Sequence, residues 1–152
     1  MKRTVVWMIA IMLLIFSILA TGALGSDGND TETDKEAIKK AALDYIEGWY
    51  EGNAERMERA LHPDLAKRGL FVDPETGKTV MRSVGAADMV KYTEAGAGKS
   101  PEKKDKIKLD ILDMYKNTAC VKLVSPDYVD YLHLGRFEGK WVIVNVIWEM
   151  NK

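Results

Sequence analysis

Four segments rich in β-branched and aromatic residues fill the last third of the chain and constrain its fold most. They cover residues 106–116, 119–125, 128–137 and 140–150, and the short turn sequences KNT, PD and EG separate them. This spacing predicts an antiparallel meander of four strands. Because the preceding segments have helical patterns, the sequence predicts an α+β fold with helices first and sheet after.

The segment before this sheet begins with an amphipathic helix. Its apolar residues recur at helical spacing and predict one buried face, made of Ile38, Ala41, Ala42, Tyr45, Ile46 and Trp49. We expect Asp34 to cap this helix and Gly52 to end it. Asn53 is then the expected cap of a second helix, which Pro63 ends because a residue before proline avoids helical geometry.

Three further elements are expected between the second helix and the meander. Residues 69–84 place two short apolar pieces around DPETGK, which predicts a hairpin or a long loop between short strands. Ser83 is the expected cap of a third helix over residues 84–95. The Gly- and charge-rich residues 95–106 predict a mobile loop.

The N-terminus has the pattern of an export signal. Lys2 and Arg3 precede a long apolar run that ends in small residues, so we expect residues 1–25 to be a signal peptide. The alternative is a retained membrane anchor, since about 20 apolar residues span a bilayer. Residues 26–33 are then a linker, and residues 34–152 form the domain. Both alternatives place the domain outside the cytoplasm, in the periplasm or the extracellular space.

Charge and cysteine content exclude several classes of protein. The chain has 22 Lys and Arg against 23 Asp and Glu, so no basic surface favours nucleic acid. Cys120 is the only cysteine, so the chain cannot form an internal disulfide. His62 and His133 are far apart in sequence, and no spacing predicts a metal site. We find no motif for a cofactor, and GAGKS at residues 96–100 lacks the first glycine of a P-loop.

The final strand is apolar on both faces. Strict alternation places Trp141, Ile143, Asn145 and Ile147 on one face and the valines with Trp148 on the other. A sheet with one wet face would alternate apolar with polar residues. The helices cover only one face, so we expect the outer face to pack against a second copy of the chain in a two-fold dimer.

This order of elements resembles the NTF2-like superfamily (SnoaL-like, cystatin-like α+β), and its "putative lumazine-binding" branch most closely. The resemblance covers residues 34–150 and is carried by Tyr45, Gly48-Trp49-Tyr50, Gly52, Met57, Leu61-His62-Pro63, Leu65, Asp110, Asp130-Tyr131-Leu132-His133-Leu134, Gly139-Lys140-Trp141, Ile143-Val144-Asn145 and Trp148. It implies an open cone, in which a curved antiparallel sheet wraps around the first helix and leaves a pocket. It also implies a dimer, but it transfers no catalytic residue to this chain.

Polar or aromatic residues inside apolar stretches are the candidate pocket residues. They are Tyr45, Trp49, His62, Tyr131, His133 and Asn145. His133 and Asp110 are candidates for a general base. Each has a structural alternative: Asp110 can pair with Lys122 on the next strand, Asn145 can tie strands together, and His62 precedes a proline at a helix end.

Three functions fit these observations. The leading hypothesis is an exported NTF2-like domain that acts as a binding or scaffold module, with a small apolar ligand. The alternative is an enzyme of the SnoaL or ketosteroid-isomerase type with a pocket His or Asp as base. The third is an interaction protein whose cone is filled by Trp49, Met57 and Trp141. A cavity on which two titratable groups converge would favour the enzyme.

Overall fold

The computed structural model describes residues 27–151 of the chain. The chain divides into a unit of residues 1–32 and a unit of residues 33–152, and the sheet and the hydrophobic core lie in the second unit. The predicted signal peptide, residues 1–25, lies outside the described residues. Within residues 27–151, none of the helices has the length and apolar character needed to cross a membrane.

The N-terminal part of the described chain is helical. Helix α1 spans Asp27–Glu51, α2 spans Ala54–Ala60, α3 spans Ala86–Glu94, and a 3-10 helix spans Pro101–Lys106. Gly52 follows α1 with a φ of 69°, a left-handed conformation that glycine adopts without strain. Asn53 caps α2, because its side chain accepts a hydrogen bond from Arg56 N at 3.0 Å. The predicted end of the first helix and the predicted cap of the second are confirmed.

The strands form one open, six-stranded sheet with the order β2-β1-β6-β5-β4-β3. Strands β1 and β6 are parallel, whereas the other neighbours are antiparallel. The α+β class, the hairpin and the four-stranded meander are therefore confirmed. The strands are β1 Leu61–Val72, β2 Thr79–Val84, β3 Lys108–Tyr115, β4 Thr118–Val124, β5 Tyr128–Phe137 and β6 Lys140–Met150.

Helix α1 lies on the inner face of this sheet and supplies much of the core. Its predicted stripe is buried at Ile38, Ala42, Tyr45 and Ile46, and half-buried at Trp49. The sheet contributes buried side chains from alternate positions of β4, β5 and β6, such as Val121, Leu123, Leu132, Leu134, Ile143 and Val146. Burial of this apolar area is the main force that holds helix and sheet together.

Helix α1 starts earlier than the sequence pattern indicated. It begins at Asp27, so the predicted start near Asp34 was wrong, and residues 27–33 are helical. No proline interrupts this segment, and extending an existing helix costs far less than nucleating one. Asp34 binds the sheet instead of capping the helix. Its carboxylate accepts hydrogen bonds from Arg136 Nη1 at 2.8 Å and from Trp141 Nε1 at 2.8 Å.

Ion pairs connect α2 to α1. The buried Asp44 carboxylate accepts hydrogen bonds from Lys40 Nζ at 2.7 Å, Arg56 Nε at 3.0 Å and Arg59 Nε at 3.0 Å. Burial alone would raise the pKa of Asp44. The hydrogen bonds from Arg59, Lys40 and Arg56 outweigh that effect, so the pKa lies well below its usual value.

Two predicted boundaries also differ from the structure. Helix α2 ends at Ala60, and Pro63 lies inside β1. Pro63 is tolerated there because the pairing of β1 with β6 is irregular between Leu61 and Ala66, so no regular ladder bond needs its missing N–H. Residues 101–106 form a 3-10 helix in the segment predicted to be a mobile loop. Lys104 anchors this helix through an ion pair with Glu51.

A β-bulge changes the faces of the final strand. His133 pairs with Asn145 and Leu134 pairs with Ile143, which leaves Val144 as an extra residue. The strict alternation predicted for this strand is therefore wrong after Ile143. Trp148 lies on the inner face together with Ile143, and Asn145 lies on the outer face.

Candidate functional site

A partly open cavity of about 210 Å³ lies between α1, the inner face of the sheet and α3. Helix α1 forms one wall of the cavity. Strands β1, β5 and β6 form the opposite wall, and β2 and α3 close the side. Most of the lining is aromatic or aliphatic, as in binding sites for small organic molecules. The cavity is lined by Tyr45, Ile46, Trp49, Lys67, Val84, Met89, Tyr92, Tyr128 and Trp148.

Two edge-to-face ring contacts hold Trp148 in place, and Gly69 leaves room for its indole because glycine has no side chain. Its ring centroid lies 5.3 Å from that of Phe71 and 5.2 Å from that of Tyr128, with near-perpendicular planes. A Cβ atom on Gly69 would lie 2.7 Å from the Trp148 ring. Gly69 is therefore required for the indole to lie flat against β1, where it forms a rigid part of the cavity wall.

The polar floor of the cavity consists of three side chains from three elements. Lys67 Nζ of β1 donates a hydrogen bond to Tyr45 Oη of α1 at 2.5 Å and another to Asp130 Oδ1 of β5 at 3.3 Å. Tyr45 Oη in turn donates to Asp130 Oδ1 at 2.9 Å. Lys67 and Tyr45 line the cavity, while Asp130 lies behind them. We call these three residues the floor cluster.

Burial controls the charge of the floor cluster. Lys67 is 7% exposed and Asp130 is 1% exposed. Burial lowers the pKa of the Lys67 ammonium, although the Asp130 charge opposes this shift. Burial likewise raises the pKa of the Asp130 carboxyl against the influence of Lys67. Burial and the Asp130 charge raise the pKa of the Tyr45 hydroxyl well above its usual 10.0. All three shifts favour the uncharged forms.

Aromatic rings surround the Lys67 amine on its other sides. Its Nζ lies 4.7 Å from the Trp148 ring centroid and 5.2 Å from the Tyr45 ring centroid. Two polar atoms of the site have no hydrogen-bond partner among the described residues, namely Trp49 Nε1 and Asp130 Oδ2. Buried polar atoms are rarely left unpaired in a purely structural core. Trp49 belongs to the cavity wall, and Asp130 lies behind the floor.

A loop after α3 covers Trp49. A Cβ atom on Gly98 would lie 2.0 Å from Trp49 Nε1, so the loop backbone rests directly on the indole. The loop is tied back to α1, because Ser100 N donates to Tyr50 O at 2.9 Å. Only a residue without a side chain fits at position 98, and Gly98 thereby closes the wall formed by Trp49.

The structure brings together only two of the six predicted pocket residues. Tyr45 and Trp49 line the cavity, one helical turn apart. Tyr131 and His133 lie on the outer face of β5, and both are exposed. Asn145 is also on the outer face, where its Oδ1 accepts a hydrogen bond from Arg68 Nη1 at 2.8 Å and its Nδ2 lies 3.2 Å from His133 Nδ1. The bulge at Val144 places Asn145 there.

The two remaining candidates also lie away from the cavity. His62 accepts a hydrogen bond from Asp64 N at 3.1 Å, and its ring lies 4.6 Å from that of Phe137. Asp110 is exposed on β3 and faces Lys122 in the register of the sheet. Asp110 thus lies opposite the lysine considered as its partner, whereas His62 lies inside β1 and not at a helix end.

The sequence reading missed Lys67 and Asp130, although one signal for Asp130 was present. Alternation along β5 places Asp130 on the same face as Leu132 and Leu134, so a carboxylate belongs to the apolar face. Lys67 had no comparable signal. It follows Leu65 by two residues in a stretch that contains Pro63, Asp64 and two basic residues, and such a stretch does not indicate a buried strand.

An open sheet packed on a long helix, with a cavity between them, defines a class of small α+β domains with a ligand-sized pocket. Residues 33–149 match the family model described as "Putative lumazine-binding". The chain belongs to this family of NTF2-like proteins.

A curated relative is named as the aldolase FrzH of a Cladobotryum species. It is 30% identical over 124 residues, which cover 77% of this chain and 91% of that protein.

Solved structures share the fold. An NTF2-like protein of unknown function from Shewanella baltica OS155 is 19% identical with a TM-score of 0.58, covering 79% of this chain and 95% of that one. A similar protein from Silicibacter pomeroyi DSS-3 is 15% identical with a TM-score of 0.62, covering 80% and 98%. A "Putative Scytalone Dehydratase" from Novosphingobium aromaticivorans is 15% identical with a TM-score of 0.54, covering 82% and 89%.

Proposed function

We propose that the domain binds a small, mostly apolar molecule in the aromatic cavity, with an oxygen atom of that molecule near Lys67 Nζ. The observation that carries this proposal is a partly open apolar cavity whose lining includes one basic residue, Lys67. Hydrophobic walls supply the affinity for such a molecule, and one polar group fixes its orientation.

The size of the cavity limits the ligand. A cavity of about 150 Å³ lined by apolar side chains binds benzene. The 210 Å³ found here therefore suits a molecule of one or two rings. The residues expected to fill the cone leave this volume open, because Trp49 forms its wall, while Met57 and Trp141 are buried elsewhere in the core. This arrangement argues against the interaction-protein hypothesis.

Binding of 2-naphthol tests this proposal. Trp49 and Trp148 line the cavity, so their fluorescence should change as 2-naphthol binds. Val84 also lines the cavity, and Val84→Phe should weaken binding by about tenfold, equivalent to about 1.4 kcal/mol. Val80→Phe on the same strand is the matched control, since Val80 does not line the cavity, and it should leave affinity unchanged. Equal affinities in the two variants would contradict the proposal.

The second candidate function is catalysis on a carbonyl compound. Two observations favour it: the Cladobotryum relative is named as an aldolase, and Lys67 and Tyr45 both present titratable groups to the cavity. In this candidate, the floor cluster takes the role first considered for His133 and Asp110. The test is cleavage of 4-hydroxy-4-phenylbutan-2-one, followed as benzaldehyde release. Lys67→Met should abolish cleavage, whereas Lys122→Met, on the outer face, should not.

We also propose a homodimer through the outer face of the sheet. Tyr131 and Ile147 are 44% and 40% exposed there, and exposed apolar patches mark interaction sites. Ile147→Glu should convert a dimer into a monomer in light scattering. Tyr115→Glu is the control. Tyr115 is 67% exposed, but it lies on the edge strand β3, which is not adjacent to β5 or β6. A wild-type protein that stays monomeric at high concentration would contradict the dimer.

Export of the domain remains a prediction from residues 1–25. The basic start, the apolar run and the small residues at its end support it. N-terminal sequencing of the protein recovered from outside the cytoplasm tests it, because cleavage should leave a chain that starts near Leu24 or Ser26.

A further inference from the structure

We infer that Lys67 is a nucleophile, and that its Nζ forms an imine with the carbonyl carbon of a small, uncharged aldehyde or ketone held in the aromatic cavity. This inference rests on the proposed binding function and names its substrate class. A purely structural role would require only that Lys67 has hydrogen-bond partners, whereas imine formation gives Lys67 a covalent role.

The position of the amine supports a reactive role. Lys67 lines the cavity although it is almost fully buried, and its Nζ lies beside the rings of Tyr45 and Trp148, which also line the cavity. The hydrogen bonds to Tyr45 Oη and Asp130 Oδ1 use the two N–H groups of a neutral amine. Its lone pair then has no partner among the described residues, and attack on a carbonyl carbon requires a free lone pair.

The surroundings of Lys67 keep the amine in its nucleophilic form. An ammonium ion has no lone pair, so lysine must lose a proton before it reacts. Burial lowers the pKa of Lys67, and the rings of Tyr45 and Trp148 exclude water from two sides. A lysine side chain in water is an ammonium ion near neutral pH, because the usual pKa of lysine is about 10.4.

Tyr45 and Asp130 supply the proton transfers that imine formation needs. The lone pair of Nζ forms a C–N bond while the C=O π electrons move to oxygen, which takes a proton from Tyr45 Oη. Tyr45 regains a proton from Asp130, to which it is hydrogen-bonded at 2.9 Å. The Asp130 carboxylate then accepts the extra proton from nitrogen. The carbinolamine oxygen, protonated once more by Asp130 through Tyr45, leaves as water while the C=N bond forms, and the nitrogen gives its remaining proton back to the Asp130 carboxylate. One water is released, and no oxidant or reductant is consumed.

The cavity lining limits the carbonyl compound. Lys67 is the one charged residue among the lining side chains, and its amine is used for the reaction. A carboxylate or phosphate on the substrate would therefore be desolvated against an apolar wall without a counter-charge, which is unfavourable. An uncharged aryl or alkyl aldehyde or ketone fits both the polarity and the volume.

Reductive trapping with benzaldehyde tests the inference. The folded protein is incubated with benzaldehyde and sodium cyanoborohydride near pH 7, and the benzylated lysines are mapped by peptide mass spectrometry over time. Lys67 should be modified at least about tenfold faster than any other lysine, because the cavity holds the carbonyl compound beside its amine. Tyr45→Phe retains the amine but should slow the labelling of Lys67, while labelling of Lys122 stays unchanged.

The outcome separates this inference from the binding proposal. If Lys67 reacts no faster than the exposed lysines while 2-naphthol still binds, the imine is excluded and binding stands. If 2-naphthol does not bind and Lys67 is not labelled, both proposals fail. The wild-type labelling map decides without any variant, so a variant that fails to fold does not prevent the test.

Discussion

Lys67 and Arg68 are neighbours in β1, yet they lie on opposite faces of the sheet and in different surroundings. Lys67 is 7% exposed and joins Tyr45 and Asp130 beneath an aromatic cavity. Arg68 is half-buried and donates to Asn145 on the open outer face. Both are basic side chains that hydrogen-bond to polar partners. Solvent screens the outer contact, whereas the inner one is desolvated.

This difference indicates where polar residues matter most in this fold. A partly exposed pair contributes little, since water replaces a lost partner. A buried cluster has no such replacement, so loss of one member leaves the others unsatisfied. The same desolvation moves the pKa of Lys67 and Asp130 toward their neutral forms. The inner face therefore combines high structural sensitivity with reactivity.

The largest effect is expected from Asp130→Ala. The change leaves Lys67 buried without its carboxyl partner and should lower the free energy of unfolding by about 3 kcal/mol. His133→Ala on the same strand but the outer face should cost less than about 0.5 kcal/mol. Urea denaturation at pH 7 measures both. Similar losses in the two variants would show that the two faces do not differ as described.

A glycine on each face gives the second comparison. Gly69→Ala places a Cβ atom 2.7 Å from the Trp148 ring, which Phe71 and Tyr128 hold in place, so we expect a loss of about 1–3 kcal/mol. Gly135→Ala meets the Phe137 ring at the same 2.7 Å. Phe137 is 47% exposed and can swing into solvent, so this loss should be smaller. Thermal unfolding of the two variants ranks them; a larger loss for Gly135→Ala would refute the contrast.

The pH dependence of stability compares two carboxyls with opposite shifts. The pKa of Asp130 is raised from 3.8, so its contribution to stability is present below pH 3.8 and is lost as the pH rises through the folded-state pKa. The pKa of Asp44 is lowered, so its contribution is present above pH 3.8 and is lost as the pH falls.

Asp130→Asn and Asp44→Asn should therefore respond to pH in opposite directions. The stability advantage of wild type over Asp130→Asn should shrink as the pH rises from about 3 to 7, whereas its advantage over Asp44→Asn should shrink as the pH falls from about 4 to 2. Urea midpoints across this range provide the measurement. Slopes of the same sign would be inconsistent with the two assigned shifts.

The smallest effects are expected for polar residues of the outer face. Asn145→Ala should change the free energy of unfolding by about 0.5 kcal/mol or less, since its contacts with Arg68 and His133 are open to solvent. Affinity for 2-naphthol should stay unchanged, because Asn145 does not line the cavity. A marked loss of 2-naphthol affinity would restore Asn145 as a binding residue.

The sequence predicted the fold well because the fold depends on periodic patterns. The stripe from Ile38 to Trp49 and the β-rich segments from residue 106 onward each repeat a period that a helix or a strand imposes. The roles of Gly52 at a helix end and of Asn53 as a helix cap depend on local conformation, so they could be predicted from residue type alone. The start of α1 was less predictable, because Asp34 is a good cap by type but binds Arg136 and Trp141, about a hundred residues away.

Among the residues that line the cavity, only those on the first helix were predicted from the sequence. Tyr45 and Trp49 were correctly assigned to the inner face because a helix of this length keeps its phase. Asn145 was assigned to the wrong face because one extra residue, Val144, breaks the alternation of β6. Lys67 was missed because its burial depends on the parallel pairing of β1 with β6, and that pairing joins segments about eighty residues apart.

The bulge at Val144 means that the number of residues in β6 affects the structure independently of which residues they are. Deletion of Val144 would restore regular alternation, and Asn145, Val146 and Trp148 would keep their present faces. The lining of the cavity would be the same set of side chains. The bend and extra twist that a bulge gives its strand would be lost, however, and β6 would run straighter beneath Trp148. The curvature of the cavity wall is thus encoded by one inserted backbone unit, and homologues with identical lining residues can enclose cavities of different shape.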